Sequence, residues 1–466
     1  MILLRFLPAP GSAPAVRPPL VHPRKGVGAF LGLVLVLLGS SCASYNERTY
    51  MALEQFESGR FGEAIVAYRE DGVTDSKFLK GAESGTVAFV DGRWGAALKF
   101  FTQASQAVRE VEDESLLHPE RALESLAAWT VSETLTDYHG EGYERALLHS
   151  CLGLTYLALG KVEDLLVEVR RSNALLEAEE ELYEVEYGAG GMGHFISALG
   201  YELRGDLDEA YIDYKRMEAK GLGGALVGSS LVRLARTLGR ENDLAHWTKR
   251  FGEDTPPSPD AARVVLIAGV GAGPLKREGR LEVMTDEGLL AWAVPQIQLR
   301  PSPVGHVVLE ANNLDAAVSS VIIEDVGRIR AKNLDDRLAL LATRSTVRTF
   351  LKRALRNSVE EEHGEWAGLA ADIFTSVSER ADLRTWSTLP DTWQAARMFL
   401  PPGAHELTVT AQGGQTVPLG VFELEPGETM FLMARTLRRR LHVQVLGGNP
   451  LTTDQPTPAA SVPVEG

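Results

Sequence analysis

Ten histidines and two cysteines are the residues from which metal or nucleophilic chemistry would be built, and their spacing points to neither. The histidines are scattered without a His-Glu-x-x-His pair, and neither a Cys-x-x-Cys nor a Gly-x-Ser-x-Gly elbow occurs. Cys151 sits in an apolar helical pattern and is expected in the core, where a free thiol behaves as a small hydrophobe. Cys42 has a different setting. It follows Arg24-Lys25, the apolar run Val27 to Leu38 and the small residues Gly39, Ser40 and Ser41, where a thiol is exposed to modification. With Cys42 modified, Cys151 has no partner, so no disulfide framework is expected.

Two glycine-rich segments have the letters of phosphate-binding loops. Gly188-x-Gly190-x-x-Gly193 follows an acidic helix where a dinucleotide fingerprint requires a strand. Gly269 to Gly273 does follow a strand-like run, but Pro274 and a second strand come next, without the helix N-terminus that cradles phosphate. Both therefore read as turns. The acidic run Glu177, Glu179, Glu180, Glu181, Glu184 and Glu186 reads as a solvated helix face, because cation ligands need convergent geometry. Arg438-Arg439-Arg440 reads as a solvated strand end, with anionic lipid headgroups as the other reading. Arg170, Arg171 and Lys276 remain as binding candidates, against the simpler reading of helix-end salt bridges and strand-edge solvation. No catalytic residue, cofactor or metal is implied. The net charge of −16 argues against nucleic acid, which needs a basic face.

Four regions carry these residues. Residues 1–41 contain four basic residues and no acid, and read as a signal peptide. The apolar run is shorter than the ~20 residues of a spanning helix. Leu38 to Cys42 resembles the lipobox of bacterial lipoproteins, with Gly39 where that motif prefers Leu; the resemblance implies lipidation of Cys42. By the same resemblance, Ala43 after the cysteine implies the outer membrane, with the body facing the periplasm.

Residues 42–253 read as a helical repeat domain. Gly59-x-Phe61-x-x-Ala64-x-x-x-Tyr68 recurs 33 residues later as Gly92-x-Trp94-x-x-Ala97-x-x-x-Phe101. Further copies run Gly153, Tyr156, Gly160, Val162, Leu165, then Tyr201, Gly205, Leu207, Ala210, Tyr214, and a faint one surrounds Gly239 and Leu244. The spacing resembles tetratricopeptide repeats, with glycine ending one helix and alanine permitting a close crossing. The interval from Gly92 to Gly160 is two periods, with no legible repeat between. The proline-rich segment 254–259 is a linker, and residues 260–446 read as a β-rich domain with a helical insertion at about 328–380. Strands are expected at 261–268, 280–284, 289–299, 305–310, 394–400, 405–410, 417–423 and 428–435. Residues 447–466, rich in Pro, Thr and Ala, read as a disordered tail. The fold class is thus α+β: an N-terminal α-helical tetratricopeptide-like solenoid followed by a β-sandwich-like domain with inserted helices.

Three longer segments, Glu144–Asn173, Gly273–Val283 and Thr385–Val409, resemble landmarks of an uncharacterised bacterial lipoprotein family that pairs tetratricopeptide-like repeats with a C-terminal β domain. The resemblance implies a cell-envelope location and supplies no catalytic residues. The expected function is a non-enzymatic envelope lipoprotein that docks envelope proteins through its repeat surface, in cell-wall synthesis or outer-membrane maintenance. The alternative is an envelope enzyme, or a ligand-binding component of an export system, with its site between array and β domain.

Overall fold

A computed structural model describes residues 6–7, 44–117, 137–183, 189–253, 256–285, 288–335 and 381–451. Among the described residues before 254, ten helices pair into five hairpins. These are α1 (Tyr45–Glu57) with α2 (Phe61–Arg69), α3 (Lys77–Val90) with α4 (Trp94–Leu117), and α5 (Gly142–Ala158) with α6 (Val162–Tyr183). They continue with α7 (Gly191–Arg204) and α8 (Leu207–Ala219), then α9 (Gly224–Thr237) and α10 (Glu241–Phe251). Ser44 caps α1 in a reciprocal box with Glu47, which satisfies two otherwise orphan amides.

Each hairpin turns on a glycine in the left-handed region: Gly59, Gly92, Gly160, Gly205 and Gly239, with φ from 65° to 82°. A side chain there would clash with its own backbone, which is why glycine marks the repeat. The small-residue slot five positions later (Ala64, Ala97, Leu165, Ala210) is completely buried at the crossing. Helix α4 packs directly on α5, so no hairpin stands between the second and third repeats among the described residues. The long step from Gly160 to Gly205 is taken up largely by α6, 22 residues long. Among the described residues no helix is long and apolar enough to cross a membrane.

The chain then forms β1 (Ala262–Val270), a hairpin of β2 (Leu275–Thr285) and β3 (Gly288–Gln298), β4 (Val307–Ala311), β5 (Ala316–Ser319) and β6 (Val321–Asp325). A helix follows over 326–335. After residue 381 come β7 (Thr392–Leu400), β8 (Gly403–Ala411), β9 (Thr416–Leu424), β10 (Thr429–Leu437), β11 (Arg440–Leu446) and β12 (Asn449–Pro450). One five-stranded sheet has the order β11–β10–β1–β7–β6, with β10 and β1 parallel and the other pairs antiparallel. The second is antiparallel, β12–β9–β8–β4–β5. The β2–β3 hairpin pairs at its edge with Phe6–Leu7.

The two sheets pack face to face as a sandwich. Ala262, Val264, Leu266, Ala268 and Val270 of β1 point into its core with Leu407, Val409, Phe422 and Leu432. The alternate residues Val265 and Ile267 instead join the helical core, together with Trp393, Ala395, Phe431 and Met433. The first sheet is therefore the middle of three layers, with the helical array on its other face. Burial on both faces explains why β1 reads as an unbroken apolar run.

The eight expected strands are present. Strands β5, β6 and β11 were not expected, being short or charged. Residues 447–451, placed at the head of the tail, form a turn and the strand β12 beside β9, while 452–466 lie outside the described residues. So do the signal segment apart from Phe6–Leu7, Cys42, and the insertion beyond 335 up to 380.

Candidate functional site

A helical array offers partners its inner face, formed by the first helix of each hairpin. Here all five first helices turn that face to the chain's own β domain. The segment 385–391, just before β7, lies against α3 and α5 and turns at 387–388. Glu83 of α3 accepts hydrogen bonds from the Ser387 and Thr388 amides (2.7 and 3.0 Å), the Ser387 hydroxyl (2.7 Å) and the Tyr45 hydroxyl. Glu144 of α5 accepts from the Trp386 amide at 2.9 Å, from Thr385 Oγ1 at 3.0 Å and from Tyr138. Between them the Trp386 indole is completely buried, edge-on to Phe78 and Phe101, and donates to Thr86 Oγ1 at 3.0 Å. Arg330, from the helix after β6, closes the site by donating to Tyr143, the Trp386 carbonyl and the Pro274 carbonyl.

Burial raises the Glu83 carboxyl above its ordinary value, and the Thr388 and Ser387 hydrogen bonds offset part of the rise. The three family-like segments meet at this point. Glu144 opens the first, Gly273 of the second donates to the Leu389 carbonyl at 2.9 Å, and Thr385 to Leu389 belong to the third.

Two further contacts fasten α7 to the sheet. Glu202 receives Arg397 of β7 (3.1 Å), Arg263 of β1 (2.6 Å), Arg233 of α9 (2.9 Å) and the Tyr214 hydroxyl. Burial pushes its carboxyl up, but the three guanidiniums win and hold it near 2. Glu324 of β6 accepts the Gly190 and Met192 amides (2.9 and 3.1 Å) at the start of α7. That helix N-terminus, part of the Gly188-x-Gly190-x-x-Gly193 pattern, is thus filled by the chain's own carboxylate. Burial dominates here and pushes Glu324 up to about 7.

At the α1 end the seam leaves a cavity of about 170 Å³, lined by Leu53, Phe56 and Glu57 of α1, the Gly271 turn, Arg300 and Arg435. An adjoining surface depression of about 390 Å³ shares Glu57, Leu437 and Arg438 with it and is edged by Arg439 and Arg440. Arg435 is buried and donates only to backbone carbonyls, those of Gly269, Gly271, Thr436 and Thr388. Arg300 donates to Glu57 at 2.7 Å and to the Gly273 and Ser387 carbonyls. Burial and the neighbouring Arg300 push Arg435 down to about 9.

Of the sequence candidates, Arg170 and Arg171 lie on α6, while Lys276 borders the Trp386 site, its ammonium 5.8 Å from the centre of the Tyr138 ring. Arg171 is half-buried between Glu112 and Asp113, with contacts of 2.8 Å to each. Arg170 is exposed and bonds the Leu166 carbonyl of its own helix. Lys276 is buried against Glu141 at 2.6 Å, on another hairpin. Gly271 is a left-handed turn, as its setting suggested. Cys151 is buried, which pushes its thiol far above the usual range. His149 lies buried between Glu112 and Glu168. Among the described residues no group of three or more His, Cys, Asp or Glu could hold a metal ion. Glu83, Glu144, Glu202, Arg330, Arg397 and Arg435, which organise the seam, escaped sequence reasoning. Their one signal was an ionisable residue at an apolar slot of a helix or strand.

No family model and no curated protein matches the chain. Among solved structures it is similar to MamA protein (17% identity, 44% of this chain and 91% of that one, TM-score 0.23). It is also similar to PilF of Pseudomonas aeruginosa (15%, 44% and 89%, 0.22). A third is a tetratricopeptide repeat protein from Parabacteroides merdae (16%, 46% and 81%, 0.22). Each likeness spans less than half of this chain. The architecture itself is a tetratricopeptide-like array of five hairpins joined along its inner face to a β-sandwich.

Proposed function

We propose that the chain is an interaction scaffold of the bacterial cell envelope, tethered through Cys42, whose partners dock on the outer helices of the array. One observation carries this reading. The inner face is used up by the chain's own sheet and Trp386 segment, while the outer helices place apolar side chains in water at one repeating position. Seven residues after the turn glycine stand Val66, Val167 and Ile212, exposed by 63%, 57% and 40%. The other two hairpins have Lys99 and His246 at that position, both exposed. An isolated exposed hydrophobe is ordinary, but recurrence at one repeat position puts them along one face.

The test is a photo-crosslinking residue placed at Val167 or Ile212 in the native envelope, with Leu314 on the β domain as the comparison. Adducts from the helix positions alone are expected; none from either helix position would overturn the docking face. Mass spectrometry of the mature N-terminus, with and without globomycin, tests the tether separately. An unacylated Cys42 would remove it.

The second reading, a ligand site between array and β domain, is favoured by the arginine-lined cavity.

A further inference from the structure

We propose that the cavity between α1 and the first sheet binds a phosphate group, with Arg435 and Arg300 at its base and Arg438 at its mouth. This stands independently of the docking face.

The charge balance motivates it. A buried guanidinium is ordinarily matched by a carboxylate, since an unmatched one is costly in a medium of low dielectric. Arg435 is buried, donates to four backbone carbonyls and no carboxylate, and its Nε has no hydrogen-bond acceptor. Among the described residues Glu57 is the only acid lining the cavity and is shared, 2.7 Å from Arg300 and 3.5 Å from Arg438. The second contact of Arg438, Glu54, lies outside the cavity lining. Arg439 and Arg440 add two more cations at the entrance. This concentration of positive charge stands on a chain of net charge −16.

Shape and chemistry narrow the ligand. A volume of about 170 Å³ has room for a phosphate or phosphomonoester. The guanidiniums of Arg435 and Arg300 already donate to carbonyls and Glu57 and so supply positive charge at the base, which favours a multiply charged oxyanion. Arg438 is held at φ 57°, a left-handed backbone that non-glycine residues seldom adopt. Arg438 and Arg439 form the two-residue turn between β10 and β11, where a positive φ is the ordinary geometry. Burial also pushes both Arg435 and Arg300 below their ordinary values, which a bound anion would reverse.

The test is a thermal-shift titration of the purified full chain in detergent with inorganic phosphate, against chloride and acetate at matched ionic strength. A saturable rise in Tm with phosphate is expected, at least tenfold weaker in Arg438→Gln and several-fold weaker in Arg439→Glu. Arg439 lines the adjoining depression and not the cavity, so its variant keeps the test alive should R438Q fold poorly by circular dichroism. Dihexanoyl phosphatidic acid in a parallel titration separates the sources. Tighter binding than inorganic phosphate assigns a lipid headgroup, and equal or weaker binding assigns free phosphate. A response no larger than that to chloride, an equal response to acetate, or unchanged affinity in both variants would overturn the proposal.

Discussion

Replacing Glu202 by Gln separates the charge at the α7–sheet seam from its shape. The variant keeps the volume and one acceptor oxygen but leaves Arg397, Arg263 and Arg233 facing a neutral group. The native carboxyl sits near 2 against an ordinary 4.5. At roughly 1.4 kcal/mol per pH unit, that difference is worth about 3 kcal/mol at neutral pH. Glu202 is buried, so solvent screening does not shrink this much. The sign follows from the direction. A lowered carboxyl stabilises the fold above the unfolded-state value near 4.5, and the contribution fades as pH falls towards 2. Urea unfolding at pH 7 should therefore place E202Q about 3 kcal/mol below the native chain, and the gap should narrow to roughly 2 kcal/mol at pH 3.5. Glu163→Gln, on the exposed Arg204 pair, serves as the control and should stay within about 0.5 kcal/mol. A gap at pH 7 no larger than the control's, or one that does not narrow with acid, would refute the reasoning.

Other perturbations probe the same seam. Trp386→Ala removes a completely buried indole from between Phe78 and Phe101 and should cost about 3–5 kcal/mol by urea unfolding. Glu324 is raised from 4.5 to about 7, so its contribution is complete below pH 4.5 and is lost as pH rises through 7. Native stability should thus fall by about 2 kcal/mol between pH 5 and 8 relative to Glu324→Gln, and parallel pH profiles would contradict the assignment. Gly160→Ala meets open space at φ 69° and should lose only the roughly 1–2 kcal/mol of left-handed backbone strain. A larger loss in its denaturation midpoint would mean that the turn packs against something.

The array was legible because its determinants are local. A left-handed turn needs glycine, and a close crossing needs alanine, so Gly59/Ala64, Gly92/Ala97 and Gly205/Ala210 announce hairpins from short windows. Strand β1 was legible because burial on both faces leaves a run of apolar residues. Strand β11 was not, since it opens on Arg440 and is only partly buried. Strands β5 and β6 are four and five residues long, too short for alternation to stand out. The seam was hidden for another reason. Glu83 and Ser387 are 304 positions apart, and Glu202 and Arg397 are 195 apart. A buried Glu on an apolar helix face looks like a solvated one until its partner is known. Arg438 to Arg440 were read as a solvated end, but two of the three also bridge to the first hairpin, at Glu54 and at the Ser58 carbonyl.

Filling of the inner face by the chain itself distinguishes this array from one that waits for a peptide. Hydrogen exchange at the amides of Trp386, Ser387 and Thr388, held by Glu144 and Glu83, tests this most directly. If the segment is part of the core, these amides exchange as slowly as those of Val265 to Ile267 in β1, through global unfolding alone. Exchange within seconds while β1 stays protected would show a displaceable ligand and an inner face open to partners, contradicting the account.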